Sequence, residues 1–408
     1  MSHKIQQFIN QHSNNGSHTQ SSDVVNIEKY KLHDDIINAD VSGRNITSET
    51  LKIPKFIPDS KKLIDKSVIF YGPSGSGKTQ IIYDFMYELR DYFPKVIVFA
   101  PTNREKRDYD GYVPTELIYE DFGLEEIKTV YESQRAAARA YNIANDLKIL
   151  QQLANKVMTV PQKTFLRNLL FKKNKALEQI NMTIKELPKR KAAIKQLEEA
   201  HEKHLIKFFK EKVIWPNRNR LQGIKMSENE KICVKYIKFN PRLLVVFDDS
   251  MTEILSLIKK GRAANDNVLL DFFYKGRWAY ITHFYAFQDD NRLDSEIKKN
   301  AFYSVFTRPN VANAFFNRAA TSFSPQDKAR AKAAINEVFP SGNDDNVDHK
   351  YRKLLYAREE KDNFQHITAD VHEDFEMCSA FVRQFCKNAK KKDDEEDKNN
   401  PYFTKFAH

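Results

Sequence analysis

The chain is 408 residues long, 41% hydrophobic and rich in Phe (29) and Tyr (18), so it can bury a large core as one domain with insertions or as two. With only 11 Gly and 14 Pro it is neither loop-rich nor disordered, no apolar run nears the ~20 residues of a membrane span, and Met1-Ser2-His3-Lys4-Ile5 lacks a secretory core. These features point to a soluble intracellular protein without membrane insertion; its formal charge of +11 favours a polyanionic partner, and three scattered cysteines (Cys233, Cys378, Cys386) suit a reducing compartment and no zinc site.

Residues 1–50 read as a mobile arm, polar and carrying the low-complexity run from His12 to Ser22. The folded part begins near Leu51. Val68-Ile69-Phe70-Tyr71 is an apolar strand, and it runs into Gly72-Pro73-Ser74-Gly75-Ser76-Gly77-Lys78-Thr79, a complete GxxxxGK[ST] phosphate-binding loop. Gln80 follows, and Ile81 to Leu89 reads as a helix. Strand, loop and helix in that order let backbone N–H groups curl around phosphate oxygens at a helix N-terminus. Lys78 is then expected to reach the β- and γ-phosphates of ATP, and Thr79 to sit on Mg²⁺. Gly72 through Gln80 form the expected cofactor-binding set.

A second β-rich run, Val96 to Ala100, stops at Pro101. Strands alternating with helices imply a parallel sheet with crossover helices, and residues 51–123 and 240–365 are expected to form one split α/β core. From Leu124 to about residue 239 the pattern is helical, with Leu147, Leu150, Leu153 and Val157 recurring at three and four residues. Pro188-Lys189-Arg190-Lys191 marks the tip of an antiparallel helical hairpin. This insertion is basic: Lys163 to Lys212 contains 14 Lys/Arg against 6 Glu. Contact with DNA or docking of a protein would both suit it, and so would a plain solvated face.

Leu243 to Phe247 is a fully apolar strand ending in Asp248-Asp249. A carboxylate just past a buried parallel strand can hold Mg²⁺ through its water shell, the role expected of Asp248, while Asp249 is placed to polarise the attacking water. Alternatively, Asp249-Ser250 caps the next helix. The strand from Tyr280 to Phe287 ends in Gln288, at the strand terminus where ligands of open α/β sheets bind. Gly276-Arg277 precedes that strand; Arg277 is too far away for its own nucleotide but suited to act as an arginine finger across a subunit boundary, with Arg308 in reserve. Further strands are expected over 302–306 and near Leu354-Leu355-Tyr356, then a helical, charged tail (366–408) whose charge block from Lys390 to Lys398 should be disordered.

The ordered set of loop, Asp248-Asp249, Gly276-Arg277 and Gln288 resembles the virion genome-packaging ATPases of large DNA viruses (poxvirus-type), in the FtsK–HerA branch of P-loop ATPases. Local similarity extends through Tyr112 to Tyr119 and Ile297 to Asn300, and the resemblance spans roughly residues 60–130 and 240–360. It implies a P-loop NTPase core of RecA/ASCE type and a homo-oligomeric ring that hydrolyses ATP at subunit interfaces. It also implies double-stranded DNA as substrate, a capsid or portal protein as partner, and the host-cell assembly site or virion as location. Three departures stand out: the short Asp249 after the metal-linked Asp, Trp278 where a His often follows Gly-Arg, and the long basic insertion. Other P-loop readings are a ring helicase, a nucleotide kinase and a nucleotide-binding switch. The chain lacks a second motor repeat and an arginine-rich lid, which weighs against the first two.

Overall fold

The computed structural model describes residues 53–399 except 265, 267, 289–292, 294, 319–322, 341–350, 361 and 362. The expected arm (1–50) and residues 400–408 of the tail lie outside the described residues. Among the described residues, eight strands form one sheet: β1 (Ser67–Tyr71), β2 (Lys95–Phe99), β3 (Ile118–Tyr119), β4 (Leu243–Asp248), β5 (Ile281–Phe287), β6 (Tyr303–Phe306), β7 (Lys353–Ala357) and β8 (Phe364–Ile367). Their spatial order is β3-β2-β4-β5-β1-β6-β7-β8. The six strands from β3 to β6 are mutually parallel, whereas β7 and β8 are antiparallel additions at one edge. This is an α/β P-loop NTPase core, with a hairpin edge that the sequence pattern did not distinguish from further parallel strands.

The central strands are buried along their whole length, as parallel strands covered on both faces must be. Alternation along each strand sorts the side chains between two helical layers. Phe70 and Phe284 meet Phe85 of α1 (Lys78–Leu89), at 5.6 and 5.8 Å between ring centroids. On the other face Phe99, Phe247 and Tyr285 stack across three strands at 4.8 and 5.5 Å. Helix α2 (Leu124–Ala144) contributes Tyr131 to that layer, edge-on to Phe272 of a helix at Val268–Lys275. The Gln134 amide, buried in α2, donates to Pro241 O and Ala279 O at 2.5 and 2.7 Å, which ties α2 to the amino ends of β4 and β5.

The helices after α2 build a separate apolar cluster. It is formed by α3 (Leu147–Val157), α4 (Val160–Thr183), α5 (Leu187–Phe208) and the π-helical turn Phe209–Ile214, around Leu150, Leu153, Phe209 and Val213. α4 and α5 form the hairpin arm, with its turn at Ile184–Glu186 and Pro188 in the first turn of α5, where the missing N–H costs nothing. One expectation is overturned at the C-terminus. The charge block from Lys390 belongs to a helix, Ala380–Asn399, because no Gly or Pro interrupts that stretch.

His283 on β5 is 1% exposed, faces Phe272, and lies so near Gly276 that a Cβ there would be 2.4 Å from its ring. Burial lowers its pKa to about 3, and its Nε2 has no hydrogen-bond partner among the described residues. The unfolded chain therefore takes up a proton at this ring below pH ~6.5 while the folded chain does not, so this contribution is complete above pH 6.5 and is lost as pH falls toward 3. From pH 7 to 5 this single group should remove about 2 kcal/mol of stability. Urea unfolding of His283→Leu should show a correspondingly shallower loss; an unchanged pH slope would exclude a neutral buried imidazole.

Candidate active site

β1 delivers the chain to Gly72, whose N–H donates to Phe287 O at 3.0 Å, so the phosphate loop leaves the sheet against the end of β5. Only glycine fits there: a Cβ would lie 1.7 Å from Thr307 Oγ1. Thr307, directly after β6, holds its hydroxyl 2.7 Å from Ser76 Oγ and 3.2 Å from Tyr71 O. The Ser76 hydroxyl donates to Pro73 O at 2.7 Å. These bonds fasten the arch of the loop to the tips of β1 and β6. Gly77, at φ 90°, takes the left-handed conformation that starts α1. Pro73, Ser74 and Gly75 are exposed on the crest. Beneath it Lys78 is 5% exposed and donates to Gly72 O at 2.8 Å and Pro73 O at 3.1 Å. Burial lowers the pKa of that amine, and the carboxylates of Asp249 and Asp248 partly restore it.

Asp248 ends β4 and is 5% exposed. Its Oδ2 accepts from the Tyr109 hydroxyl at 2.8 Å and from the Thr79 hydroxyl at 3.2 Å. The two residues expected to share a cation therefore touch, across 169 positions of sequence. Burial raises the Asp248 pKa, the Tyr109 bond opposes the rise, and the neighbouring Asp249 adds to it. Asp249 sits at φ 47°, a strained conformation for any residue but glycine, tolerated best by Asp and Asn. That bend turns its Oδ2 to Lys106 Nζ at 3.3 Å and leaves Oδ1 buried without a partner among the described residues. Ser250 is the N-cap of the helix Met251–Ala263 but makes no side-chain cap bond, so the capping alternative is not what holds Asp249. A hydroxyl, a buried carboxylate and an unsatisfied acceptor beside them are hard oxygen donors of the type Mg²⁺ takes, and the group fits.

Gln288 is exposed at the first position after β5, the strand lying between the loop strand and the Asp248 strand. Arg277 is at the other end of β5, exposed in the turn Gly276–Ala279 with its guanidinium 5.2 Å from the Trp278 ring. Seven residues of strand put roughly 23 Å between Arg277 and Gln288. The structure thus gathers Lys78, Thr79, Asp248, Asp249 and Gln288, and leaves Arg277 apart. Arg308 follows Thr307 and so stands beside its own phosphate loop, together with Lys353 at the start of β7. A Cβ at Gly77 would be 3.9 Å from Lys353 Cε; burial first, and then the Arg308 charge, lowers the Lys353 pKa. Gln80 turns its amide to Asp370 O at 3.2 Å, toward the segment after β8.

Sequence reasoning missed Tyr109, Lys106, Thr307 and Lys353. No spacing rule brings them to the loop; the quoted similarity beginning at Tyr112 was the nearest signal to the first two. Among the described residues there is no group of three or more His, Cys, Asp or Glu able to hold a metal, and no helix long and apolar enough to cross a membrane.

No family model matches the chain. It is similar to the uncharacterized protein B354L of African swine fever virus. The Warthog/Namibia isolate's protein is 28% identical over 372 residues, covering 87% of this chain and 96% of the relative, and the Pig/Kenya isolate's is 27% identical over the same shares. Among solved structures it is similar to the pCW3 conjugation coupling protein TcpA, a monomer form with ATPγS, at 12% identity and a TM-score of 0.35, covering 83% of this chain and 75% of that one. The cytoplasmic domain of the type VII secretion ATPase EccC of Thermomonospora curvata is 14% identical with a TM-score of 0.29, covering 78% of this chain and 27% of that one. At these scores the likeness adds nothing to the P-loop core that the strand order already defines.

Tyr109→Phe removes a hydroxyl that positions the Asp248 carboxylate without touching the phosphate loop. Loss of such a supporting bond should raise the Mg²⁺ concentration needed for half-maximal binding of a fluorescent ATP analogue about 10-fold, with the fold intact by circular dichroism. An unchanged Mg²⁺ requirement would remove Tyr109 from the site.

Proposed function

We propose that this protein is an ATP-driven double-stranded DNA translocase of the FtsK–HerA type, which packages a viral genome and hydrolyses ATP at the interfaces of a homo-oligomeric ring. The observation that carries the reading is the 3.2 Å approach of Thr79 Oγ1 to Asp248 Oδ2, made across the tip of the strand that ends in Gln288. A phosphate loop alone binds nucleotide; a second acidic strand meeting the loop threonine is what hydrolysis adds.

Loop amides from Ser74 to Thr79 and the Lys78 ammonium bind and orient the triphosphate, Lys78 exchanging carbonyl oxygens for phosphate oxygens. Thr79 and Asp248 would hold Mg²⁺, which supplies charge neutralisation at the phosphates when bound. Gln288 at the open tip, with Asp249 beside it, orients the attacking water. Arg277, far from its own loop, serves an adjacent subunit, where its charge offsets that developing in the transition state. Support for a viral role comes from the likeness to proteins of African swine fever virus, and support for a polyanionic substrate from the net charge of +11. A capsid or portal protein would be the partner of such a motor.

ATPase assays with duplex DNA, single-stranded DNA and no DNA test the proposal. Duplex DNA should stimulate turnover, and Lys78→Ala should lower it at least ~100-fold. Phosphate transfer to a nucleotide acceptor without any response to DNA would instead make the protein a kinase. Mixing Arg277→Ala with Asp248→Ala subunits should restore part of the hydrolysis that neither variant has alone; no recovery in verified mixed assemblies would confine Arg277 to a surface role.

A further inference from the structure

The helical arm joins the core at a cleft of about 810 Å³, at the end of the sheet opposite the phosphate loop. Its walls come from the end of α2, the base of α5 with the π-helical turn, and the residues leading into β4 and β5. Lys203, Lys207, Lys210, Lys238 and Arg242 line it against one lining carboxylate, Glu211. Asp65, whose pKa burial raises and Arg242 partly lowers, is the other acid close to Arg242. Lys203 and Lys207 are exposed, and neither makes an ion pair or hydrogen bond among the described residues. Lys210 is half-buried, donates to Asn145 Oδ1 at 2.9 Å, and has its pKa lowered by desolvation.

Also in the cleft, the Arg242 Nε is buried without an acceptor among the described residues. Lys203, Lys207 and Lys210 are spaced by four and three residues, which sets their Cα atoms one helical turn apart, about 6 Å and 4.5 Å along the axis. Cations strung on one strip match a ligand whose charge repeats along its length. Lysine is depleted from the centres of protein–protein interfaces, whereas nucleic-acid interfaces are strongly cationic. The aromatic rings here are already engaged: Tyr280 meets Tyr141 edge-on at 5.0 Å and donates its hydroxyl to Asn142 Oδ1 at 2.6 Å. That leaves little for stacking on bases, which selects a duplex, with its doubled phosphate density, over a single strand.

We propose that this cleft at the root of the arm binds the phosphodiester backbone of double-stranded DNA, without reading its sequence. The choice of DNA rests in part on the translocase function proposed above; the cationic character of the cleft does not. Contact here would sit at the amino ends of β4 and β5, whose carboxyl ends carry Asp248 and Gln288, so both sites bear on the same two strands.

The test is anisotropy titration of the full chain with a labelled 20-base-pair duplex between 50 and 200 mM salt. Each phosphate contact contributes about −0.9 to the slope of log affinity against log salt, so Lys203→Ala/Lys207→Ala/Lys238→Ala should flatten the slope by about 2.7. Over that fourfold range the wild type should then lose about 40-fold more affinity than the variant. These side chains are exposed, and an unchanged thermal melt shows that the variant folds. A control at the far end of the arm, Lys189→Ala/Arg190→Ala/Lys191→Ala, should bind as wild type. Equal affinity and slope in the cleft variant, or loss in the tip control instead, overturns the proposal. So does loss of poly-glutamate binding with duplex binding intact, which would make the cleft a dock for an acidic protein. Duplex bound through the cleft without stimulated ATPase supports this site and sinks the translocase reading; stimulated ATPase with a cleft variant like wild type does the reverse.

Discussion

A buried carboxylate tied to a loop hydroxyl organises this molecule. Asp248 and Thr79 stand on elements that are not neighbours, because β5 runs between β1 and β4. Two inter-strand steps separate those strands by roughly 9–10 Å. The loop must therefore arch over the end of β5 before α1 returns Thr79 to the Asp248 side. Gly72 fastened to Phe287 O begins that path, and the left-handed Gly77 ends it. Gln288 lies at the crossing point as a result, and the position needs no further device to explain it.

The burial of Asp248 is costly. A carboxylate 5% exposed needs hydrogen bonds, and Tyr109 with Thr79 supplies them. Tyr109 is itself fully buried and packs edge-on against Tyr83 of α1 at 5.8 Å, so the acid is anchored by the same aromatic layer that seats the loop helix. The backbone bend at Asp249 is the local strain that results, and the rigid strand behind it holds that strain in place. The two ends of the sheet thus differ in character. One gathers carboxylates and loop amides around a phosphate site, while the other collects lysines where the arm is attached.

Some of this was legible from residue order alone. The glycine spacing of the loop, the apolar run before Asp248 and the strand ending in Gln288 are local patterns, and each sits on the element they indicate. The hairpin edge was not legible, since Leu354-Leu355-Tyr356 reads the same in either direction of pairing. The block from Lys390 to Lys398 misled because high charge density resembles a disordered tail, whereas helix formation there needs only a run free of Gly and Pro. Arg277 was the expected finger and Arg308 the reserve. Their separation, one beside its own loop and one at the far end of β5, follows from the strand order.

Residue order by itself determined which functional groups are available: a loop able to wrap phosphates, an acid following a buried strand, an amide following another, and a basic helical insertion. These depend on short-range rules of backbone freedom and side-chain period, which hold wherever the segment ends up. The tertiary structure decided which of those groups meet. Tyr109 on Asp248, Lys106 on Asp249, Thr307 on Ser76 and Lys353 beside Gly77 are contacts between distant segments. They exist only because packing a twisted sheet between two helical layers brings particular strand ends together, and no period or spacing along the chain encodes that choice.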